Sequence, residues 1–155
     1  MTSKIEYANI DEGHVIRLHG DIRYGDVVPL HQLLEGIGNN EKSFVIDLTR
    51  CTHLDSTALG TLALVAKKSR SLDQQSRPLI YISKPVVKEA LLGVCFDLIF
   101  DIVNCDPELK ADYELIKNEV NDTETIRKTV AAAHQRLAEI SQSNNELFKD
   151  VNLLI

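Results

Sequence analysis

The sequence has 155 residues, of which 44% are apolar and 26% are charged, and its formal net charge is −6. These values are typical of a globular protein that is long enough for one domain with a hydrophobic core and an extension. The negative charge argues against nucleic-acid binding, since phosphate recognition needs clustered Lys and Arg. No apolar run approaches the roughly 18 residues of a membrane helix, so we expect no membrane insertion.

The cysteine and histidine patterns indicate neither a metal site nor a disulfide framework. Cys51, Cys95 and Cys105 are odd in number and lack CxxC spacing, which predicts reduced thiols in a cytoplasmic protein. The five histidines show no pairing at zinc-ligand spacing. Because GxGxxG and P-loop motifs are also missing, we expect no cofactor.

The first third of the chain predicts a hairpin, a helix and a buried strand. IEYANI and HVIRLHG are short alternating runs around a Gly-containing turn, which is a hairpin pattern. YGDVVPLHQLLEGIG has apolar residues at helical spacing and ends at Gly38-Asn39-Asn40. SFVIDL is a compact apolar run that fits a buried strand.

Three further helices and two strands are predicted between residues 57 and 120. A helix from about Thr57 to Leu72 is followed by the strand RPLIYIS, a helix with Pro85 at its start, and a short strand near Phe100–Val103. Asp106-Pro107 then predicts a fourth helix, with the apolar stripe Leu109, Tyr113, Ile116 and Val120. This order predicts an α/β domain with a mixed, mostly parallel sheet over residues 1–121.

Residues 122–155 form a separate helical extension in this interpretation. Apolar positions alternate at spacings of four and three over about four heptads, which predicts a long helix with one apolar seam. Asn144 falls at an a position, where a lone Asn often fixes the pairing of two strands of a coiled coil. The candidate seam residues are Val130, Leu137, Ile140, Asn144, Leu147 and Val151.

Three arrangements of this extension remain open. The helix packs on its own domain, pairs with a second copy to give a homodimer, or binds a partner. Charges at the positions flanking the seam are too few to select a partner by salt bridges.

The triplet Asp55-Ser56-Thr57 stands between a predicted buried strand and a predicted helix. The simplest interpretation is a helix cap, in which an Asp or Ser side chain satisfies a free N–H group. Ser56 at a helix N-terminus also suits phosphorylation, since the N–H groups and the helix dipole favour an anion. A serine hydrolase ranks far below both, because G-x-S-x-G is absent and no base is positioned by the sequence; we expect no enzyme.

The run FVIDLTRCTHLDSTALGTLALVAKKS resembles the core of the STAS domain, the fold of bacterial anti-sigma factor antagonists. In that family the loop after a strand carries Asp-Ser-Ser/Thr-Gly-Leu-Gly, and Asp55–Gly60 matches at five of six positions. The element order, Leu18-x-Gly20-Asp21 and LIYIS before a helix also fit. Ala58 in place of Gly and the extension after Val120 are departures from the family pattern.

The resemblance implies partner switching. An unphosphorylated antagonist binds an anti-sigma factor or kinase-like regulator, a serine kinase phosphorylates the serine after Asp and breaks the complex, and a PP2C-type phosphatase restores it. Carried over, Ser56 is the phosphoacceptor, with Thr57 as the alternative, and Asp55, Ser56, Thr57 and Ala58 form the partner-binding surface.

The resemblance to longer antagonists also points to control of motility or biofilm genes. The alternative function is a non-catalytic STAS docking subunit of a transport or lipid-trafficking complex, since related domains there carry the same loop.

Overall fold

The structure, a computed structural model, describes residues 3–11, 13–38, 43–69, 77–117 and 121–149. The strands in these ranges are β1 Lys4–Ile10, β2 Gly13–Ile22, β3 Ser43–Leu54, β4 Leu79–Ile82, β5 Asp101–Asn104 and β6 Glu114–Ile116. The helices are α1 Tyr24–Glu35, α2 Ser56–Lys68, α3 Pro85–Gly93, α4 Thr123–Ala138 and α5 Gln142–Phe148, with a 3₁₀ turn at Phe96–Leu98.

The described strands form one mixed sheet in the order β5-β4-β3-β2-β1-β6. β1 and β2 make the predicted antiparallel hairpin. β2, β3, β4 and β5 run parallel to one another. Parallel neighbours need crossover connections, which α1, α2 and α3 supply. The expected α/β architecture with a mixed, mostly parallel sheet is therefore confirmed.

The core lies between this sheet and the helices. Alternate residues of the central strands are almost fully buried, as a two-residue period requires of a sheet packed on one face. They are Ile16 and Leu18 in β2, Phe44, Ile46 and Leu48 in β3, and Ile80 and Ile82 in β4. α1 and α2 add Val27, Leu30, Leu34, Leu59 and Leu62 to the same cluster.

Helix α2 is buried on all sides along most of its length. Each of the nine residues from Thr57 to Val65 is buried, although a surface helix normally buries only one stripe. One side packs into the core with the sheet, and α4 covers another side. The cations Lys67 and Lys68 lie in the last turn, where they suit the helix dipole, and the helix ends at Lys68 rather than near Leu72.

The predicted fourth helix from Asp106 is wrong over residues 106–117, and Val120, the last residue of its apolar stripe, lies outside the described residues. Residues 106–113 adopt neither helix nor strand, and Glu114–Ile116 form β6, which pairs antiparallel with β1. The guanidinium of Arg17 lies 3.6 Å from the ring centroid of Tyr113, and Glu108 has a left-handed φ of 49°. Tyr113 thus makes a cation–π contact and Glu114–Ile116 pair with the edge strand β1, where the apolar spacing predicted a helix.

The described part of the C-terminal extension is helical, but it forms two helices and not one long helix. α4 ends at Ala138, and α5 begins at Gln142 with Ser141 as its N-cap, whose side chain accepts a hydrogen bond from the N–H of Asn144. α4 packs chiefly on α2, with a smaller contact to α1, and α5 packs on α4. The extension therefore adds a layer of helix over α2.

Candidate functional site

Asp55 caps α2, as the sequence predicts. Its Oδ1 accepts a hydrogen bond from the backbone N–H of Ala58 at 2.8 Å. Its Oδ2 accepts a second one from the backbone N–H of Tyr24, the first residue of α1, also at 2.8 Å. One carboxylate thus satisfies donors at the starts of two helices, where its negative charge also suits both helix dipoles.

The next two residues differ sharply in exposure. Ser56 is the first residue of α2 and is half-buried, whereas Thr57 is only 4% exposed. Ala58 is fully buried. Of the predicted partner-binding surface, only Asp55 and Ser56 therefore reach solvent in this arrangement.

The hydroxyl of Ser56 contacts a histidine from the C-terminal extension. Its Oγ lies 2.9 Å from Nε2 of His134 in α4, across 78 positions of sequence. His134 is 7% exposed, and its ring stacks on Phe148 of α5 at a centroid distance of 5.8 Å. His134 is not among the site residues that the sequence predicts.

A signal for this contact exists in α2 itself. The stretch from Ser56 to Ala66 contains no charged residue, which is unusual for a helix with one face in water. That composition predicts that something covers the outer side of α2. It does not say which segment does so.

His134 is held in its neutral form. Burial lowers the pKa of its imidazole, and the negative charge of Asp55 raises it by less. Nδ1 of His134 is buried and has no hydrogen-bond partner among the described residues. Because a neutral ring has one donor and one acceptor nitrogen, either tautomer leaves one ring nitrogen unpaired.

Ser56 and His134 have the spacing of a nucleophile and its base, but the rest of a hydrolase site is not assembled around them. A catalytic histidine needs a third group that orients its other nitrogen, and Nδ1 of His134 contacts none in the described chain. An open groove of about 330 Å³ lies between α2 and α4. Among its lining residues, Ala63 is the nearest to Ser56 in sequence, and it lies two helical turns further along α2. In the described residues the pair is a contact between α2 and α4.

The candidate seam residues lie at three different depths. Leu137 and Asn144 are fully buried, Val130 and Ile140 are half-buried, and Leu147 is 60% exposed. Val151 lies outside the described residues. The Nδ2 of Asn144 donates to the carbonyl oxygens of Val94 at 2.8 Å and Leu137 at 2.9 Å, so its partners are in its own chain.

The described ranges contain neither a candidate metal site nor a candidate membrane span. No group of three or more His, Cys, Asp or Glu side chains there could hold a metal ion. Within the same ranges, no helix has the length and apolar character needed to cross a membrane.

The sequence matches no protein-family model, and no curated protein is significantly similar to it.

Proposed function

We propose that this chain is a STAS-type anti-sigma factor antagonist that acts by partner switching, with Ser56 as the phosphoacceptor. The observation that carries the proposal is the position of Ser56, a half-buried hydroxyl at the first residue of α2, directly after the capping Asp55. Thr57, at 4% exposure, is the poorer acceptor. The α/β fold and the mixed sheet agree with the proposal.

A phosphate on Ser56 changes the charge of this surface strongly. It adds about −1.5 to −2 charges at pH 7 beside the carboxylate of Asp55 and a neutral His134. A dianion buried in an interface costs several kcal/mol unless Arg or Lys pairs with it. A regulator that packs on this surface is therefore released by phosphorylation and bound again after dephosphorylation.

The proposed partners follow from the resemblance. They are an anti-sigma factor or kinase-like regulator, a serine kinase and a PP2C-type phosphatase, all in the cytoplasm, and the genes controlled are those of motility or biofilm formation. The proposed role is non-enzymatic.

The test combines site mapping with binding. Site-mapping mass spectrometry on the protein purified from its native cells is expected to find phosphate on Ser56. Ser56→Asp is expected to lose the regulator that Ser56→Ala retains, measured by quantitative affinity capture from the same cells.

Thr123→Asp is the matched control. Thr123 is the first residue of α4 and follows the capping Asp122, as Ser56 follows Asp55, so the added charge and its helix position are the same. Equal capture by Ser56→Asp and Ser56→Ala would exclude a switch at Ser56. Absence of phosphate together with a stably bound ATPase would instead favour the docking-subunit alternative.

A further inference from the structure

Helix α4 covers α2 at the end where the proposed switch lies. The buried residues of α4 are Thr129, Ala133, His134, Leu137 and Ala138, which recur at helical spacing on one face. His134 on this face meets Ser56, and α2 is buried from Thr57 to Val65. A partner that docks on Ser56 therefore meets α4 at His134.

The fit between the two helices depends on one glycine. A Cβ built on Gly60 of α2 would lie 2.2 Å from the carbonyl oxygen of Ala133 and 2.5 Å from its carbonyl carbon. Both are backbone atoms, so no side-chain rotation relieves the overlap. Glycine costs helix stability, and at residue 60 it permits α4 to approach this closely.

Helix α5 contacts the C-terminal end of α4 and holds it against the domain. Asn144 donates to the carbonyl of Leu137, near the end of α4, and to that of Val94, just after α3. The hydroxyl of Ser141 lies 3.4 Å from Sγ of Cys95, and Phe148 stacks on His134. α4 and α5 thus form one unit that rests on the domain.

Three buried polar atoms of this unit have no hydrogen-bond partner in the described chain, namely Nδ1 of His134, Nε of Arg136 and Oδ1 of Asn144. Two further atoms of this kind, Nε of Arg17 and Oδ1 of Asp21, lie in β2, so unpaired atoms alone do not distinguish the unit from the sheet. Helices added at the surface of a domain separate from it at lower free energy than core strands do.

We propose that α4 and α5 are an intramolecular cover over the Ser56 surface, and that a kinase or regulator reaches Ser56 only in molecules whose α4 has moved off α2. The regulatory meaning of the cover rests on the proposed switch, whereas the cover itself rests on the contacts of Ser56, Gly60 and His134. The apparent affinity of any ligand of Ser56 then falls with the fraction of open molecules.

Thiol labelling of Ser56→Cys tests the cover without any partner. The rate at which a bulky maleimide labels residue 56 is followed by mass spectrometry, with exposed Cys105 and buried Cys51 as internal references. Adding Gly60→Ala is expected to raise that rate by roughly tenfold or more, because it pushes α4 away. Gly25→Ala is the matched control, since a Cβ there meets no atom within 4 Å.

A second variant guards against misfolding. Leu137→Ala loosens the same contact from the α4 side, and hydrogen exchange of residues 123–138 shows whether α4 has loosened in each variant. An unchanged labelling rate in a folded variant with loosened α4 would overturn the cover. So would labelling of the parent Ser56→Cys as fast as that of Cys105.

The outcome separates the cover from the proposed function. Labelling requires neither kinase nor regulator, so a failed cover leaves the comparison of Ser56→Asp with Ser56→Ala intact. Faster labelling in both loosened variants supports the cover even if native cells never phosphorylate Ser56.

Discussion

The side chain of Asp55 joins the starts of α1 and α2, because its Oδ2 accepts from the N–H of Tyr24 while its Oδ1 caps its own helix. We predict that Asp55→Ala lowers the free energy of unfolding by about 2 kcal/mol, the sum of a lost cap and a second lost hydrogen bond. Urea denaturation measures the change.

Asp122→Ala is the control for this prediction. Asp122 caps α4 by accepting a hydrogen bond from the N–H of Thr125 at 2.7 Å. Within the described residues its side chain accepts from no second backbone N–H, unlike that of Asp55. Its loss is expected to cost about 1 kcal/mol. An equal effect of the two substitutions would show that the bond to Tyr24 contributes nothing.

Leu137 and Leu147 test whether the C-terminal helices pack on their own domain. Leu137 is fully buried in its own chain, so Leu137→Ala is expected to cost about 2–5 kcal/mol. Leu147 is 60% exposed, and Leu147→Ala is expected to change stability by less than about 0.5 kcal/mol. Light scattering should show the same mass for both variants as for the parent chain. A dimer that Leu137→Ala dissociates without loss of monomer stability would contradict this packing.

Asn144 gives a second test of the same point. It bonds two carbonyls of its own chain, so Asn144→Ala is expected to lower stability by about 1–3 kcal/mol without changing the mass. Asn145→Ala is the matched control, because the neighbouring Asn145 is exposed. If Asn144→Ala instead altered the oligomeric state, the pairing role that its heptad position suggests would gain support.

Mild acid is predicted to destabilise the fold through its buried histidines. Burial lowers the pKa of His19, His31 and His134, so below about pH 6.5 the unfolded chain takes up protons that the folded chain resists. Stability is therefore expected to fall between pH 7.5 and 5.5. Burial raises the pKa of Glu6, but hydrogen bonds from His19 and Arg17 lower it by more, so its pKa lies below 4.5. Glu6 therefore titrates below this pH window.

His134→Gln isolates one contribution to this acid sensitivity. Among the described residues, His134 contacts Ser56 and Phe148, and the charge that acts on it is that of the Asp55 carboxylate. The variant removes a proton acceptor that is neutral in the fold, so its loss of stability on acidification is expected to be smaller than that of the parent chain. Urea midpoints at the two pH values measure both losses, and parallel losses would show that His134 does not contribute.

The local parts of the site could be predicted from sequence, and the distant parts could not. Asp55 as a cap follows from residue type and position alone, because a cap concerns atoms within one turn. The contact of Ser56 with His134 spans 78 positions, and no local pattern in either helix encodes it. The absence of charged residues from Ser56 to Ala66 indicates that another segment covers α2, but it does not identify that segment.

The fold shows the same division. Alternating runs predicted β1 and β2 and short apolar runs predicted β3 to β5, although β3 continues to Leu54, beyond the run SFVIDL. Residues 109–116 carry apolar side chains at a spacing that fits a helix, yet Arg17 and the edge of β1 determine their conformation. The heptad pattern likewise continues through Ser141, where a side-chain cap ends one helix and begins another.

The order of α2 and α4 along the chain has a consequence during synthesis. α2 comprises residues 56–68, and α4 and α5 comprise residues 123–148, so the ribosome makes α2 and its strands long before the helices that overlie it. Contacts between distant segments form late in such a chain. The nascent protein therefore passes through a stage in which the hydroxyl of Ser56 has no histidine beside it, and an enzyme or binding protein present at that stage meets the outer face of α2 before α4 covers it.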